Sequence, residues 1–391
     1  MAWHVILAIS LATLGIVTSA TSQPRAILTT TTCDAANPYD SVPDDAALQG
    51  CLDNFDQVLL QPDTGPGSHR KAGDDREVGD DRKDNYVGYL VGHTLKLRRD
   101  GVLLSSVREP YKATLRATPE LAALILRASG VNNYGISFVR FDGDREERTV
   151  KNRPCSAIHD YRNVELSGVG YHVMFVESSG AVCGSAMTVG GSSGFEISSS
   201  FFYNNGRQPE EADGVTGLWA DGLNVFGCND STIRDNVFWD NTDVDLGVNG
   251  GSGCSVHGNS ISHSWKYAFA GLVAGDPTRL GGDFSDNHVW SGYNLLGFGI
   301  LVGCHPWSQC RGGYASNVSV HGNTSMGAVV NLAVDGLNGG AVEDNVMGFP
   351  GGDRVMNCNR AENYTVGHAI NVSHLQAGYV VRTYDAGSRC Q

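Results

Sequence analysis

The chain of 391 residues predicts an all-β solenoid, in which short strands wind into stacked coils, on three observations. It carries 50 glycines, with abundant asparagine and serine, spread along its length. One motif recurs at a near-constant interval: a β-branched or apolar residue, two spacers, asparagine, a spacer and a second apolar residue. Turn residues punctuate these runs so often that they leave room for strands of a few residues and not for helices. The glycines follow no Gly-X-Y period, which excludes collagen. The regular interleaving of apolar residues speaks against disorder.

The motif reads Ile233-Arg-Asp-Asn236-Val-Phe238, then Val256-His-Gly-Asn259-Ser-Ile261, Val320-His-Gly-Asn323 and Val342-Glu-Asp-Asn345-Val-Met347, with a weaker copy in Phe284-Ser-Asp-Asn287-His-Val289. Earlier versions exchange the asparagine, as in Ile197-Ser-Ser-Ser200-Phe-Phe202 and Ile136-Ser-Phe-Val139-Arg-Phe141. Asn236 and Asn259 are 23 residues apart, and Asn323 and Asn345 are 22 apart. Longer gaps, such as the 36 from Asn287 to Asn323, are expected to hold loops. Leucine-rich repeats share this period but need several leucines per turn, which the chain lacks. Asparagine at an equivalent turn of each coil tolerates left-handed backbone, and its amide can bond to the coils above and below.

These asparagine-centred repeats, from about 130 to 375, resemble the right-handed parallel β-helix of the pectin-lyase-like superfamily. The start resembles it too, in Asp44-Asp45-Ala-Ala-Leu48, Val58-Leu-Leu60, Gly88-Tyr-Leu90 and Leu95. The resemblance implies a right-handed single-stranded parallel β-helix with a short N-terminal capping helix.

Taken in order, residues 1–20 read as a secretory signal peptide, apolar from Trp3 and ending in Thr18-Ser-Ala20. Residues 21–62 form the N-terminal cap region, with Asp44 to Asp53 as the helix that shields the open solenoid end. Residues 63–87 hold Asp74-Asp75-Arg76-Glu77 and Asp80-Asp81-Arg82-Lys83 and read as a charged mobile loop. Residues 88–391 are the parallel β-helix with its C-terminal cap.

Ten cysteines behind a secretory signal imply disulfides. Proximity suggests Cys33–Cys51, Cys155–Cys183, Cys228–Cys254, Cys304–Cys310 and Cys358–Cys390, although sequence leaves the connectivity open. Five sequons, at Asn229, Asn317, Asn323, Asn363 and Asn371, are expected to carry some glycans on the surface. The net charge of −14 argues against nucleic acid and, more mildly, against polyanionic substrates. Lys266 is the only lysine after Lys151, so an anionic polymer would need arginines or a bridging Ca²⁺. The expected partner is a polysaccharide outside the cell, met by a monomer with no membrane segment in its mature form.

The densest polar constellation runs from Asn204 to Lys266. Cys228 and Cys254 lie 26 residues apart at the ends of similar strands. An offset of 26 sets Trp219, Asp221 and Leu223 over Asp245, Gly247 and Asn249, so Asp221, Asp243 and Asp245 should share one solvent face on coils about 4.8 Å apart. Several carboxylates on one face suit glycoside hydrolysis, one as general acid and another as base or nucleophile, and crowding raises the pKa that keeps the acid protonated. The stretch also resembles polygalacturonases: Ala220-Asp221-Gly222 matches part of their N-T-D-G pattern and Asn241-Thr-Asp243 approximates the following acid pair. It departs where Trp219-Ala220 replaces Asn-Thr and Val244 splits the pair, and the family's G-H-G and R-I-K motifs have no clear match.

The catalytic candidates are thus Asp221, Asp243, Asp245, His263 and Lys266, and the substrate-binding candidates are Arg207, Trp219, Asn241 and Trp307. Asp240 is assigned to shaping a turn, and Glu210 and Glu211 to a solvated loop. Trp219, Trp239, Trp265, Tyr267, Trp290, Tyr293 and Trp307 recur along the coils and offer faces for sugar rings or for internal stacking. Two alternatives remain. One is a polysaccharide lyase or C5-epimerase, with Lys266 or Arg207 as base or cation and Ca²⁺ on Asp243 and Asp245. The other is a non-catalytic cell-wall or adhesion protein.

Overall fold

A computed structural model describes residues 28–62, 88–107, 110–150, 162–208, 218–275, 280–292, 295–304, 310, 313–348, 362–375 and 380–381. The expected signal peptide, the charged loop, Glu210, Glu211, Tyr293, Trp307, Cys155, Cys358 and Cys390 lie outside these residues. Among the described residues the strands form one sheet of 23 and one of 10, paired in parallel throughout. Two short helices accompany them.

Each coil contributes a row to every layer. Leu223 pairs with Leu246, then Leu272, Ile300 and Leu332, all 0–1 % exposed. This stack of aliphatic side chains is the core, each member contributing about 1.5–3 kcal/mol by leaving water. Aromatic rows do the same. Tyr134 stacks on Tyr171 at 4.6 Å, Tyr171 on Phe195 at 5.2 Å and Phe202 on Phe238 at 5.2 Å.

The capping helix spans Asp45–Asn54, within a residue of the expected bounds. Its Leu48 and Leu52, one helical turn apart, are buried over the first coil. The Cys33–Cys51 disulfide ties it to the strand Thr30–Thr32 side of the coil. The solenoid begins ahead of residue 88, because Gln57–Leu60 pairs with Thr30–Thr32 on one side and Leu103–Ser106 on the other.

The asparagine ladder forms as expected. The side-chain amide of Asn236 donates to Asn259 Oδ1 at 3.0 Å, Asn259 to Asn287 at 2.9 Å, Asn287 to Asn323 at 2.9 Å and Asn323 to Asn345 at 2.9 Å. Each of those Oδ1 atoms also accepts the backbone N–H of the asparagine before it in the ladder. Asn287 and Asn323 are thereby in adjacent coils, so the 36-residue gap does hold extra chain. Ser200 enters the ladder in place of asparagine, its N–H donating to Asn236 Oδ1 at 3.0 Å. The left-handed conformation falls one residue earlier than expected. Asp235, Gly258, Asp286, Gly322 and Asp344 have φ between 53° and 65°, which is why each ladder asparagine follows aspartate or glycine.

Cys228–Cys254 and Cys304–Cys310 are bonded as expected, and Cys183 is also in a disulfide. The register drawn from Cys228–Cys254 is corrected. Leu223 pairs with Leu246, Cys228 with Gly251 and Thr232 with Ser255, an offset of 23 and not 26. The disulfide runs diagonally between coils across a corner where Gly251 and Gly253 have φ of 111° and 71°, and its Cα atoms are still only 5.4 Å apart. An odd offset reverses the inferred parity, so Asp221 and Asp245 do not share a face. One sequon is also corrected: Asn323 is wholly buried in the ladder and cannot present its amide to a glycan.

Candidate active site

Asp221 lies at the start of Ala220–Asn229, opposite Ser185 on the strand Gly184–Ser193. Gly222 follows it and faces inward, where a Cβ would stand 2.5 Å from the Asp245 carbonyl oxygen and 2.8 Å from the Phe238 ring. Only a residue without a side chain lets the strand pass this corner, and the passage leaves the Asp221 carboxyl on the outer side. Asp221 Oδ2 accepts from the Ser185 hydroxyl at 3.0 Å and the Asn224 amide at 2.8 Å, and Oδ1 accepts from the Val244 N–H at 3.2 Å. Asn224 Oδ1 in turn accepts from the Asn249 amide at 2.9 Å.

Burial pushes the Asp221 carboxyl up to about 8, and the neighbouring Asp243 carboxylate adds to the shift. Asp221 is 7 % exposed, whereas Asp243 is half-buried. The site therefore sets a buried carboxyl, raised well above the usual range, beside a second, half-buried one. Ser185 is the partner that can reverse its bond, donating to the carboxylate or accepting from the carboxylic acid.

Asp245 and His263 belong elsewhere, which corrects the expectation that Asp245 faces solvent beside Asp221 and the placing of His263 among the catalytic candidates of that face. Each is 0 % exposed. Asp245 Oδ1 accepts from the Asn241 amide at 2.8 Å and Oδ2 bonds His263 Nε2 at 2.7 Å. His263 Nδ1 donates to the Lys266 carbonyl at 2.7 Å, which leaves Nε2 as a donor to Asp245 only in the imidazolium form. Burial works against that charge, but the Asp245 carboxylate, the Lys266 carbonyl and Asp240 outweigh it and raise the His263 pKa. Asn241 is no substrate ligand either. It accepts from the Asn205 amide at 2.7 Å and donates to Phe202 O and Asp245, making a second, shorter ladder inside the coils. With both its oxygens engaged, Asp245 is not available to hold Ca²⁺ beside Asp243.

Asp240 does shape a turn. Its φ is 50°, and Oδ1 accepts the N–H groups of Ser264, Trp265 and Lys266 at 2.9, 3.3 and 3.3 Å. Lys266 is buried behind that turn at 4 % exposure, and Arg207 is ion-paired with Glu146, so neither cation lies open to a substrate. Trp219, two residues before Asp221, is 39 % exposed and remains placed to contact one.

Ser185, Asn224, Thr188 and Asn249 went unrecognised in the sequence. Thr188 pairs with Asn224 in register, and Thr188 Oγ1 and Asn249 Oδ1 are buried without a hydrogen-bond partner on the same outer side. Their signal was the 23-residue ladder spacing, which sets Asn224 against Gly247 and opens room beside it. Beyond this point the outer side changes character. Val244, Val273, Phe298, Leu301 and Ala333 form an apolar cluster separate from the core, each 2 % exposed or less. The carboxyl pair thus sits at the border between a polar and a covered apolar stretch.

No protein-family model matches the chain, and no curated protein matches its sequence. Solved structures do resemble it. The A-module of mannuronan C-5 epimerase from Azotobacter vinelandii is 13 % identical over 90 % of this chain and 98 % of its own, with a TM-score of 0.54. The polygalacturonase of Erwinia carotovora ssp. carotovora is 13 % identical over 94 % of this chain and 98 % of its own, with a TM-score of 0.51. A tailspike protein of E. coli bacteriophage HK620, in complex with a pentasaccharide, is 11 % identical over 88 % of this chain and 62 % of its own, with a TM-score of 0.55. Such identities speak to architecture alone, and together with the wholly parallel coils they establish that the chain has a right-handed parallel β-helix fold.

Proposed function

We propose that the chain is an extracellular glycoside hydrolase that cleaves a polysaccharide, with Asp221 as general acid and Asp243 as the second carboxylate. The observation that carries this reading is the buried Asp221 carboxyl, raised to about 8 beside a half-buried Asp243. In glycoside hydrolysis one carboxyl must arrive protonated at the leaving oxygen while its partner stays ionised for water or for direct attack. Asp221 has the environment of the first and Asp243 that of the second. Disulfides in the solenoid fit an oxidising compartment. Solved structures of the same fold include a polygalacturonase and a tailspike holding a pentasaccharide. The lyase or epimerase reading has less support, because neither nominated cation is open to a substrate: Lys266 is 4 % exposed and Arg207 is ion-paired with Glu146.

The test is incubation of the full chain with a panel of plant, algal and fungal polysaccharides, with and without chelator, followed by product mass analysis. A hydrolase yields fragments that have each gained a water. Unsaturated fragments absorbing in the ultraviolet would instead establish a lyase. Asp243→Asn should keep the fold and lower turnover by about 10²–10⁴-fold, the range for general acid–base groups. It should also shift the alkaline limb of the wild-type pH profile downward, because the charge that helps to raise Asp221 is gone. A loss below tenfold would move the site elsewhere.

A further inference from the structure

We propose that the ten-stranded sheet, on a different side of the coils from Asp221, carries a second carbohydrate site: an aromatic strip that binds a neutral polysaccharide without cleaving it. Five adjacent strands build it: Val237–Trp239, Ser260–His263, His288–Ser291, Thr324–Met326 and Val346–Met347. Their outward rows contain no Asp, Glu, Lys or Arg, in a chain of net charge −14. The first coils of the same sheet differ, since Arg116, Arg140, Asp142 and Glu177 project there. An exposed sheet face stripped of charge is uncommon and marks a contact surface.

The order within one row says what it contacts. Trp239 is in register with Ser262, and Ser262 with Trp290, followed by Met326. Indole, hydroxyl and indole thus alternate, and the indoles are two coils, or about 9.6 Å, apart, close to the length of two linked pyranoses. Both rings are held in place. Trp265 stacks on Trp239 with planes 9° apart. The Trp290 ring lies over Gly292, where a Cβ would stand 3.2 Å from Cη2. Trp290 is 51 % exposed and Trp265 46 %. An indole face is electron-rich and complements the C–H edge of a sugar ring, while the serine between can bond a hydroxyl. A polyanion would find no cation here. A second copy of the chain would bring another −14 charge to the contact and would bury the hydroxyl row without partners.

The experiment is depletion of the full chain by insoluble cellulose, chitin and β-1,3-glucan, with Trp290→Ala, Trp239→Ala, their double variant and Asp243→Asn compared. Wild type and Asp243→Asn should be retained alike on at least one polymer. Each single tryptophan variant should bind about tenfold more weakly, as for aromatic anchors at contact surfaces, and the double variant should not be retained. Unchanged thermal midpoints would show that the substitutions leave the fold intact. Failure of wild type to bind any of the three polymers, or equal retention of the tryptophan variants, overturns the proposal. So does loss of retention in Asp243→Asn, which would assign binding to the Asp221 side. A concentration-dependent dimer in sedimentation that Trp290→Ala abolishes would give the face to a second copy and overturn it too.

Discussion

Asp221 and His263 both hold protons that the unfolded chain would release, and the consequence can be measured at each. The folded Asp221 keeps its proton up to about 8, while an unfolded aspartate loses it near 3.8. Below 3.8 both states are protonated and the group is neutral to stability. Between 3.8 and about 8 only the unfolded state ionises, so stability falls as pH rises through that window. Asp221→Asn removes this dependence. The variant should match wild type in unfolding free energy near pH 4 and exceed it by about 1 kcal/mol or more at pH 8, while losing about 10²–10⁴-fold in turnover. Denaturant titrations at the two pH values check the first half. A variant less stable at pH 8 would mean that the carboxyl is not raised. His263 behaves differently, because its charge is matched by Asp245. Its pKa is raised, so its contribution is complete below 6.5 and disappears as pH climbs through the folded value. His263→Ala leaves Asp245 buried and uncompensated and should cost about 3–5 kcal/mol. Asp245 was legible in the sequence as a functional acid only because its internal partners were not. The dipeptide Asp240-Asn241 repeats Asp235-Asn236 five residues on, and that repetition was the sign that Asn241 and its neighbour turn inward.

The coil is the element through which sequence and structure agree most closely, and the asparagine ladder is the reason. A buried amide that must bond the next coil fixes that coil's height and phase, so the Asn236–Asn259 spacing of 23 is itself the register. The disulfide is a weaker ruler. A bridge needs only Cα atoms within about 4.4–6.8 Å, and positions three residues out of register still meet that where glycines bend the chain. Using 26 where 23 applies changes parity, and in a strand parity decides which side chains see water. That single step separated Asp221, which proved to face outward, from Asp245, which did not. The capping helix was readable because Leu48 and Leu52 follow helical spacing next to an open solenoid end. Ser185, Thr188, Asn224 and Asn249 were not, since they act only across coils. The ladder carries its own prediction. Asn259→Ala strands the Asn236 N–H groups and the Ile233 and His257 carbonyls, and should cost at least about 4 kcal/mol at about 1–3 kcal/mol per orphaned group. Ser260→Ala, one residue on and exposed, should stay within about 0.5 kcal/mol. Equal effects in chemical denaturation would deny the ladder its structural role.

At the scale of the whole molecule, charge selects among the substrates that a β-helix can hold. The chain carries −14, and neither Lys266 nor Arg207 is open beside Asp221 and Asp243. A polyuronate approaching this surface would be repelled over a Debye length, about 10 Å at 0.1 M salt and about 3 Å at 1 M. Its kcat/KM should therefore climb steeply as salt is added. A neutral glycan feels no such field, and its association depends on shape, hydroxyl bonds and aromatic contact, which salt leaves almost unchanged. The polar groups around Asp221, the Ser185 hydroxyl and the Asn224 and Asn249 amides, are neutral and add no positive charge that would offset a uronate. The expected result is thus a kcat/KM flat to within about twofold between about 0.05 and 0.5 M NaCl, on a substrate without ionised groups. The decisive measurement pairs a neutral polymer with its carboxylated derivative across that salt range. Faster turnover of the carboxylated form at low salt would show that a cation serves the site after all, and would return the uronate-directed readings to the front.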